Sequence, residues 1–215
     1  MKIKWLGHSS FLITSESGTR VIIDPYTTGG GINYGEIDEA AEVVLISHDH
    51  PDHNNAAAVR GGFRMIKGVG ANEAKGIAFK GIASYHDDAG GVERGPNTIF
   101  CFTVDGVRLC HLGDLGHRLT EEQAKEIGDV DILFIPVGGF FTIDAKTAAE
   151  VSSRLNPRLV IPMHFKTKAC GYPIARVDDF IRGMPGVVES DSSEVEFSKE
   201  TLPLEIEVLV LEHAL

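Results

Sequence analysis

The stretch Ser47-His48-Asp49-His50-Pro51-Asp52-His53 decides how the rest of the chain is read. It follows a short apolar run, Val43-Val44-Leu45-Ile46, and precedes a helix-like run from Asn54 to Arg60. That places it on a loop where a strand hands over to a helix. Imidazole and carboxylate together suit a borderline divalent cation, zinc above all, with manganese, iron or cobalt as alternatives. In an extended segment residues i and i+2 point the same way, so His48 and His50 can grip one ion. Pro51 bends the path, which lets Asp52 and His53 face a second ion beside the first. A polar turn with surface histidines is the plain alternative. Three His within six residues is a steep concentration for a chain with nine His in 215.

Towards the N-terminus, residues 2–6, 10–14 and 20–24 read as three short strands, the last two joined by the turn Ser15 to Thr19. His8 lies just after the first strand, and Asp24 closes the third before Pro25, a turn signal. Residues 27–42 are Gly-rich and then acidic, and read as a loop passing over the site. Tyr26, Ile32 and Tyr34 are candidates there for a substrate wall, with an ordinary surface loop as the alternative.

Towards the C-terminus, strands near 63–67 and 75–84 lead to His86, which precedes a Gly-containing loop. Thr98 to Val104 and Val107 to Leu112 flank Asp105-Gly106, the pair favoured by a type I′ turn. That register sets Cys101 opposite Cys110, two thiols expected to be reduced and half-buried. His111 falls on the face of Phe100, Phe102 and Leu109 and reads as a core histidine or one that supports a ligand. Asp114 sits on a tight loop between Gly113 and Gly116, and His117 is a candidate substrate contact near the mouth. Thr120-Glu121-Glu122-Gln123 is a capping box opening a helix to about residue 128. Residues 131–136 form a fully apolar strand. The next loop offers Phe140 and Phe141 as an apolar wall. A helix over 144–155 stops at Asn156-Pro157, and a strand over 158–162 delivers His164. Lys166 and Lys168 follow, as surface charges or as a grip on an anionic group. A last amphipathic helix over 174–184 and strands near 187–190, 194–197 and 205–211 complete the chain. His213 falls in a tail expected to fray. No linker, repeat or low-complexity segment interrupts a single domain over 1–215.

The run His48 to His53 resembles the H-x-H-x-D-H signature of the metallo-β-lactamase-fold superfamily. The resemblance extends over five motifs. It makes Asp24 the first-motif aspartate that supports the metal loop by hydrogen bonding, His86 the third-motif histidine, Asp114 the fourth-motif aspartate that bridges two ions, and His164 the fifth-motif histidine. The strings Trp5-Leu6-Gly7-His8-Ser9-Ser10 and His111-Leu112-Gly113-Asp114 look like a branch of small hydrolases related to ascorbate-6-phosphate lactonase. The implied fold is α/β, a four-layer αβ/βα sandwich of two mixed β-sheets flanked by helices, with the site on one edge.

The implied ligand set divides in two. His48, His50 and His86 hold one ion; Asp52, His53 and His164 hold the other; Asp114 lies between. The resemblance gives Asp24 a supporting role without an ion; His8 and His111 are candidates for the same role from their places in the chain, and His117, Lys166 and Phe140 are candidates for substrate contact. The implied cofactor is a pair of divalent ions, zinc first, with manganese or iron as alternatives. Two such ions about 3.5–4 Å apart share a water and lower its pKa from 15.7 towards roughly 7. The resulting hydroxide attacks a carbonyl or phosphoryl centre of a lactone, ester or phosphodiester, with Asp52 and Asp114 as the catalytic carboxylates. No G-x-S-x-G elbow competes with this reading. The alternatives on the same scaffold are a mononuclear iron oxidoreductase and an RNA-processing nuclease.

Composition narrows the partners. A hydrophobic content of 43% and a charged content of 24% are ordinary for a globular protein. A formal net charge of −11 argues against nucleic-acid and anionic-membrane partners, which need basic surface. It leaves room for a small anionic substrate, because a dimetal centre is locally cationic. Met1 to Trp5 runs directly into a strand and does not read as a signal peptide, and three Cys without a dense framework point to the cytoplasm. The resemblance leaves a homo-oligomer open, since many relatives associate.

Overall fold

Short apolar runs separated by Gly, Asp and Pro build strands throughout, and the computed structural model, which describes residues 1–215, collects them into two mixed sheets. The first sheet holds β1 (Lys2–Gly7), β2 (Ser10–Thr14), β3 (Arg20–Ile23), β4 (Val43–Ile46), β5 (Arg64–Lys67) and the late strand β13 (Glu194–Glu196), in the order β13-β1-β2-β3-β4-β5. The second holds β6 (Gly70–Ala74), β7 (Ile77–Tyr85), β8 (Pro96–Val104), β9 (Val107–His111), β10 (Ile132–Pro136), β11 (Leu159–Met163), β12 (Val187–Glu189) and β14 (Glu207–Val210), in the order β12-β14-β11-β10-β9-β8-β7-β6.

Strand direction places the site. In the first sheet β1 and β2 are antiparallel, β2 and β3 antiparallel, and β3 and β4 parallel, so β1, β3 and β4 all run the same way. In the second, β7, β9, β10 and β11 likewise share one direction. His8, Asp24, His48, His86, Asp114 and His164 each come within a few residues of the C-terminal end of one of these strands. Ligands in α/β sheets characteristically gather at that edge.

The main core lies between the sheets. Alternation turns Ile3, Trp5, Phe11, Ile13, Val21, Ile23, Val43 and Leu45 inward against Phe79, Phe100, Leu109 and Phe134. The same alternation turns Leu6, Leu12, Ile22, Val44 and Ile46 outward into a second, smaller cluster. Helices α1 (Glu121–Ile127) and α2 (Ala145–Leu155) pack on β7 and β10 of the second sheet, and α3 (Asp178–Ile181) packs on α2. The outer face of the first sheet is covered instead by irregular chain, through Tyr26, Ile32, Tyr34, Ile37, Ala41 and Val59. The αβ/βα sandwich is present, with a non-helical outer layer on one side.

Local rules account for the helices that form. Thr120 and Gln123 make the capping box of α1. Asp144 caps α2 through the Thr147 amide, and Asn156 ends it in the left-handed region ahead of Pro157. Several expectations need correction. The run Asn54 to Arg60 forms only a single 3-10 turn, Ala56–Ala58. Asn55 makes no side-chain cap, and the amides of Ala41 and Arg60 are spent on a bridge to the 39–41 segment. The helix expected over 174–184 shrinks to Asp178–Ile181, because the Ala175 backbone is tied to Gly138 and Lys166 instead. Tyr26, Ile32 and Tyr34 are buried core and wall no cleft. The tail does not fray: the His213 ring meets Trp5 and Tyr34, and the Ala214 amide bonds to the Trp5 carbonyl. Cys101 and Cys110 do face each other, with free Sγ atoms 3.7 Å apart. No helix is long and apolar enough to cross a membrane.

Candidate metal centre

Seven side chains converge where the two sheets meet at that edge. Asp114 is the hub. Its Oδ2 lies 3.1 Å from His86 Nε2, 3.2 Å from His53 Nε2, 3.2 Å from His164 Nε2 and 3.9 Å from His48 Nε2. Three groups of donor atoms lie within 4.8 Å of one another: His48, His50 and His86; His48, His53 and Asp114; and His8, Asp52, His53 and His164. His48, His53, His86, Asp114 and His164 are buried, while His50 and Asp52 are partly open.

Tight turns aim these groups. His8, Asp24 and His164 each leave a strand with a positive φ of 51°, 47° and 51°. Non-glycine residues held in the left-handed region cost roughly 1–3 kcal/mol each and cluster where a surrounding structure over-determines them. The Asp114 loop needs two glycines. A Cβ on Gly113 would lie 2.3 Å from Asn97 Oδ1, and one on Gly116 would lie 2.3 Å from the His86 carbonyl carbon. Buried Asn97 holds the same loop by accepting the Asp114 amide and donating to the Leu112 carbonyl.

Hydrogen bonds set the tautomers. Asp24 accepts from the Ser47 amide at 2.7 Å, the Ser47 hydroxyl at 2.6 Å and His53 Nδ1 at 3.0 Å. The Ser47 hydroxyl proton is thus spent on Asp24, so His48 Nδ1, 2.9 Å away, donates to Ser47 Oγ. His86 Nδ1 donates to the Phe141 carbonyl at 3.1 Å. In these tautomers the bare Nε2 atoms of His53 and His86 face the negatively charged Asp114, while that of His48 lies 3.1 Å from His50 Nδ1. Asp114 Oδ1, His53 Nε2 and His164 Nδ1 are buried without a hydrogen-bond partner. Lone pairs and a carboxylate oxygen at such distances repel unless a cation stands among them. The donor set fits a divalent cation of the zinc, manganese or iron class.

With no ion present, protons would have to take its place between the carboxylates and the imidazoles. Burial would raise the Asp114 carboxyl, but the imidazoles of His164, His53 and His86 overrule it and hold it well below the carboxylate range. Burial works against protonation of His53, yet Asp114 and Asp52 raise it well above an ordinary imidazole. Burial and the neighbouring charge of His53 push His48 down to about 3, and burial with His164 pushes His8 down to about 4.

The remaining expected residues divide. Phe140 is exposed at the rim, one residue from the carbonyl that holds His86. Lys166 is engaged locally, its Nζ donating to the Tyr172 carbonyl at 2.7 Å. His117 is also engaged locally: Nδ1 donates to the Arg118 carbonyl and Nε2 accepts the Tyr85 amide. His111 is buried with Nε2 on the Ser9 carbonyl and Nδ1 on the Gly113 amide, a brace for the Asp114 loop. Tyr172 is a residue that sequence reasoning missed. Its ring lies 5.6 Å from Phe141 and 5.8 Å from His8, and a Cβ on Gly31 would strike it at 2.6 Å. Burial and the charge of Asp52 push its hydroxyl up to about 12. A lone Tyr between Gly171 and Pro173 carries no sequence signal of this position. Arg94 lies over the Phe141 ring at 5.9 Å, on a loop whose amides at 89, 91, 93 and 94 all donate to Asp87.

Known proteins share this architecture. A family model described as a beta-lactamase superfamily domain matches residues 2–164. A relative named a metal-dependent hydrolase in Carboxydothermus hydrogenoformans is 31% identical, with 83% of this chain and 88% of that one covered. A relative of the same name in Archaeoglobus fulgidus is 27% identical, with 98% and 96% covered. A solved structure from Thermotoga maritima, named for an inferred zinc-dependent hydrolase of the metallo-β-lactamase superfamily, is 37% identical. It superposes with a TM-score of 0.83 over 98% of each chain.

Proposed function

Because the chain belongs to the metallo-β-lactamase superfamily, we propose that it is a two-metal hydrolase of a small lactone, ester or phosphodiester. The observation that carries this reading is the buried Asp114 carboxylate ringed by the Nε2 atoms of His53 and His86, whose Nδ1 atoms are already hydrogen-bonded elsewhere. His48, His50 and His86 would hold one ion, Asp52, His53 and His164 the other, with Asp114 between. Bound divalent ions supply Lewis acidity towards a carbonyl or phosphoryl oxygen and make water acidic enough to ionise near neutral pH.

The chain's own residues do the rest. Asp24, through Ser47 and directly, keeps His48 and His53 in the tautomer that offers Nε2. Burial would raise the Asp52 carboxyl, but His53 and His8 hold it well below the carboxylate range. At neutral pH it therefore orients a water as an acceptor and does not store a proton. Tyr172 stays protonated and offers an O–H donor beside the site, suited to charge that develops on a substrate oxygen. Phe140 and Phe141 give the mouth an apolar wall, and Arg94 gives it one cation for an anionic substrate.

Elemental analysis of protein purified without added metal or tag-derived nickel tests this, together with a panel of lactones, esters, thioesters and phosphodiesters. We expect close to two ions per chain, falling in His48→Ala and Asp114→Ala, and turnover of at least one ester-class substrate. A single iron per chain would move the assignment to redox chemistry. No metal after reconstitution would end the two-ion reading. Tyr172→Phe is expected to lower kcat by about 100-fold with the thermal midpoint unchanged; an unaltered kcat would remove Tyr172 from the reaction.

A further inference from the structure

His8 stands outside the seven ligands of the two-ion reading, yet with His53 it is one of the two fully enclosed imidazoles of the cluster. It is fully buried, and neither ring nitrogen has a hydrogen-bond partner. Its Nε2 lies 3.3 Å from Asp52 Oδ2 without hydrogen-bond geometry. Its ring centroid is 4.2 Å from that of His164 and 5.3 Å from that of His53. The donor atoms of His8, Asp52, His53 and His164 all fall within 4.8 Å of one another.

The backbone is built to keep it there. His8 has a φ of 51°, and its carbonyl accepts both the Trp5 indole N–H at 3.0 Å and the His164 amide at 3.2 Å. A strained backbone pinned from two directions is a sign of a side chain being aimed. An imidazole stripped of water with two unpaired nitrogens carries a desolvation cost that nothing in the protein offsets. An arrangement that is both strained and unsatisfied calls for a partner not drawn from the protein.

We propose that His8 is a further protein ligand of the inner ion, joining Asp52, His53 and His164; this rests on the two-ion reading above. The two sites then differ in kind. The inner one is closed by four protein side chains and Asp114. The outer one keeps only His48, His50 and His86 with Asp114, and His50 is partly open to the cleft. Closed coordination marks a structural zinc site, and an open position marks a catalytic one. The inner ion is the tight, slowly exchanging one, and the outer position is where water and substrate enter.

Zinc titration of metal-stripped wild type and His8→Gln, in competition with a chelating dye, tests the assignment. Glutamine keeps a neutral polar side chain of similar reach but is a poor zinc ligand. We expect two unequal sites in wild type. In His8→Gln the tighter one should weaken by more than the 10–100-fold typical of a residue that merely holds a ligand in place, with the other unchanged. Anomalous diffraction from zinc-loaded wild type needs no variant, and should place His8 Nε2 at about 2.0–2.1 Å from the inner ion. If wild type binds two ions and His8 stays beyond bonding distance of both, or His8→Gln titrates like wild type, the proposal is overturned while the two-ion reading stands. A wild type that takes up no second ion overturns both.

Discussion

At the scale of single residues, Asp24 is the group on which both halves of the centre depend. It binds no ion in our reading, yet it fixes His53 directly and His48 through Ser47. Asp24→Asn keeps the shape but can present an N–H where the carboxylate accepted one. We expect zinc affinity to fall about 10–100-fold at both sites together, measured by the same titration; a loss confined to one site would contradict the shared role. The ligands themselves were legible in the sequence, because chemistry forces His and Asp to recur at close spacing on one loop. Tyr172 and Asn97 were not. Each acts through a neighbour brought in by the fold, Gly31 and the Asp114 loop respectively, and a lone Tyr or Asn carries no mark of its tertiary partner. Lys166 is a lysine whose local tie could not be read from sequence, since its Nζ donates to the carbonyl of Tyr172, six residues on.

At the scale of elements, strands were legible and the short helices less so. Apolar runs and the Asp105-Gly106 turn set β8 and β9 in register, including the Cys101 and Cys110 pair. Helices with caps, α1 and α2, formed as read; the uncapped runs near 54–60 and 174–184 lost their backbone groups to neighbouring chain. The start of β10 is locked to β9 by Asp131, which accepts the Arg108 amide at 2.8 Å, Nε at 2.9 Å and Nη2 at 2.8 Å. Arg108 holds the Asp131 carboxyl below its usual range. A carboxyl depressed in the folded state adds stability above its unfolded value of about 3.9, and that contribution is lost as pH falls through the folded value. Asp131→Asn should therefore cost about 1–3 kcal/mol near pH 7. The gap to wild type should narrow as urea unfolding is repeated below about pH 4. A gap that stays constant with pH would assign the effect to packing.

At the scale of the whole molecule, the centre joins the two sheets. His8, His48, His50, Asp52 and His53 come from the first sheet's strand ends, and His86, Asp114 and His164 from the second's. Ions held there would clamp the sandwich at one edge. Free ion at 1,000 times its Kd adds about 4 kcal/mol, which in a chain of this size is a shift of about 8–16 °C. Chelation of protein shown to carry ions should lower the thermal midpoint by that much per ion. A midpoint indifferent to chelator would mean that ion binding does not favour the folded chain over the unfolded one. The irregular layer over the first sheet has a different consequence. It carries the Gly31 seat of Tyr172 but supplies no strand, and the groups that meet at the Asp114 hub emerge from the strand ends of the two sheets. Doubling the length of such a segment costs only about 0.6 kcal/mol in closure entropy. Selection can thus rewrite which molecules are admitted while leaving the reactive machinery untouched, and clientele and chemistry become separately heritable traits of one chain.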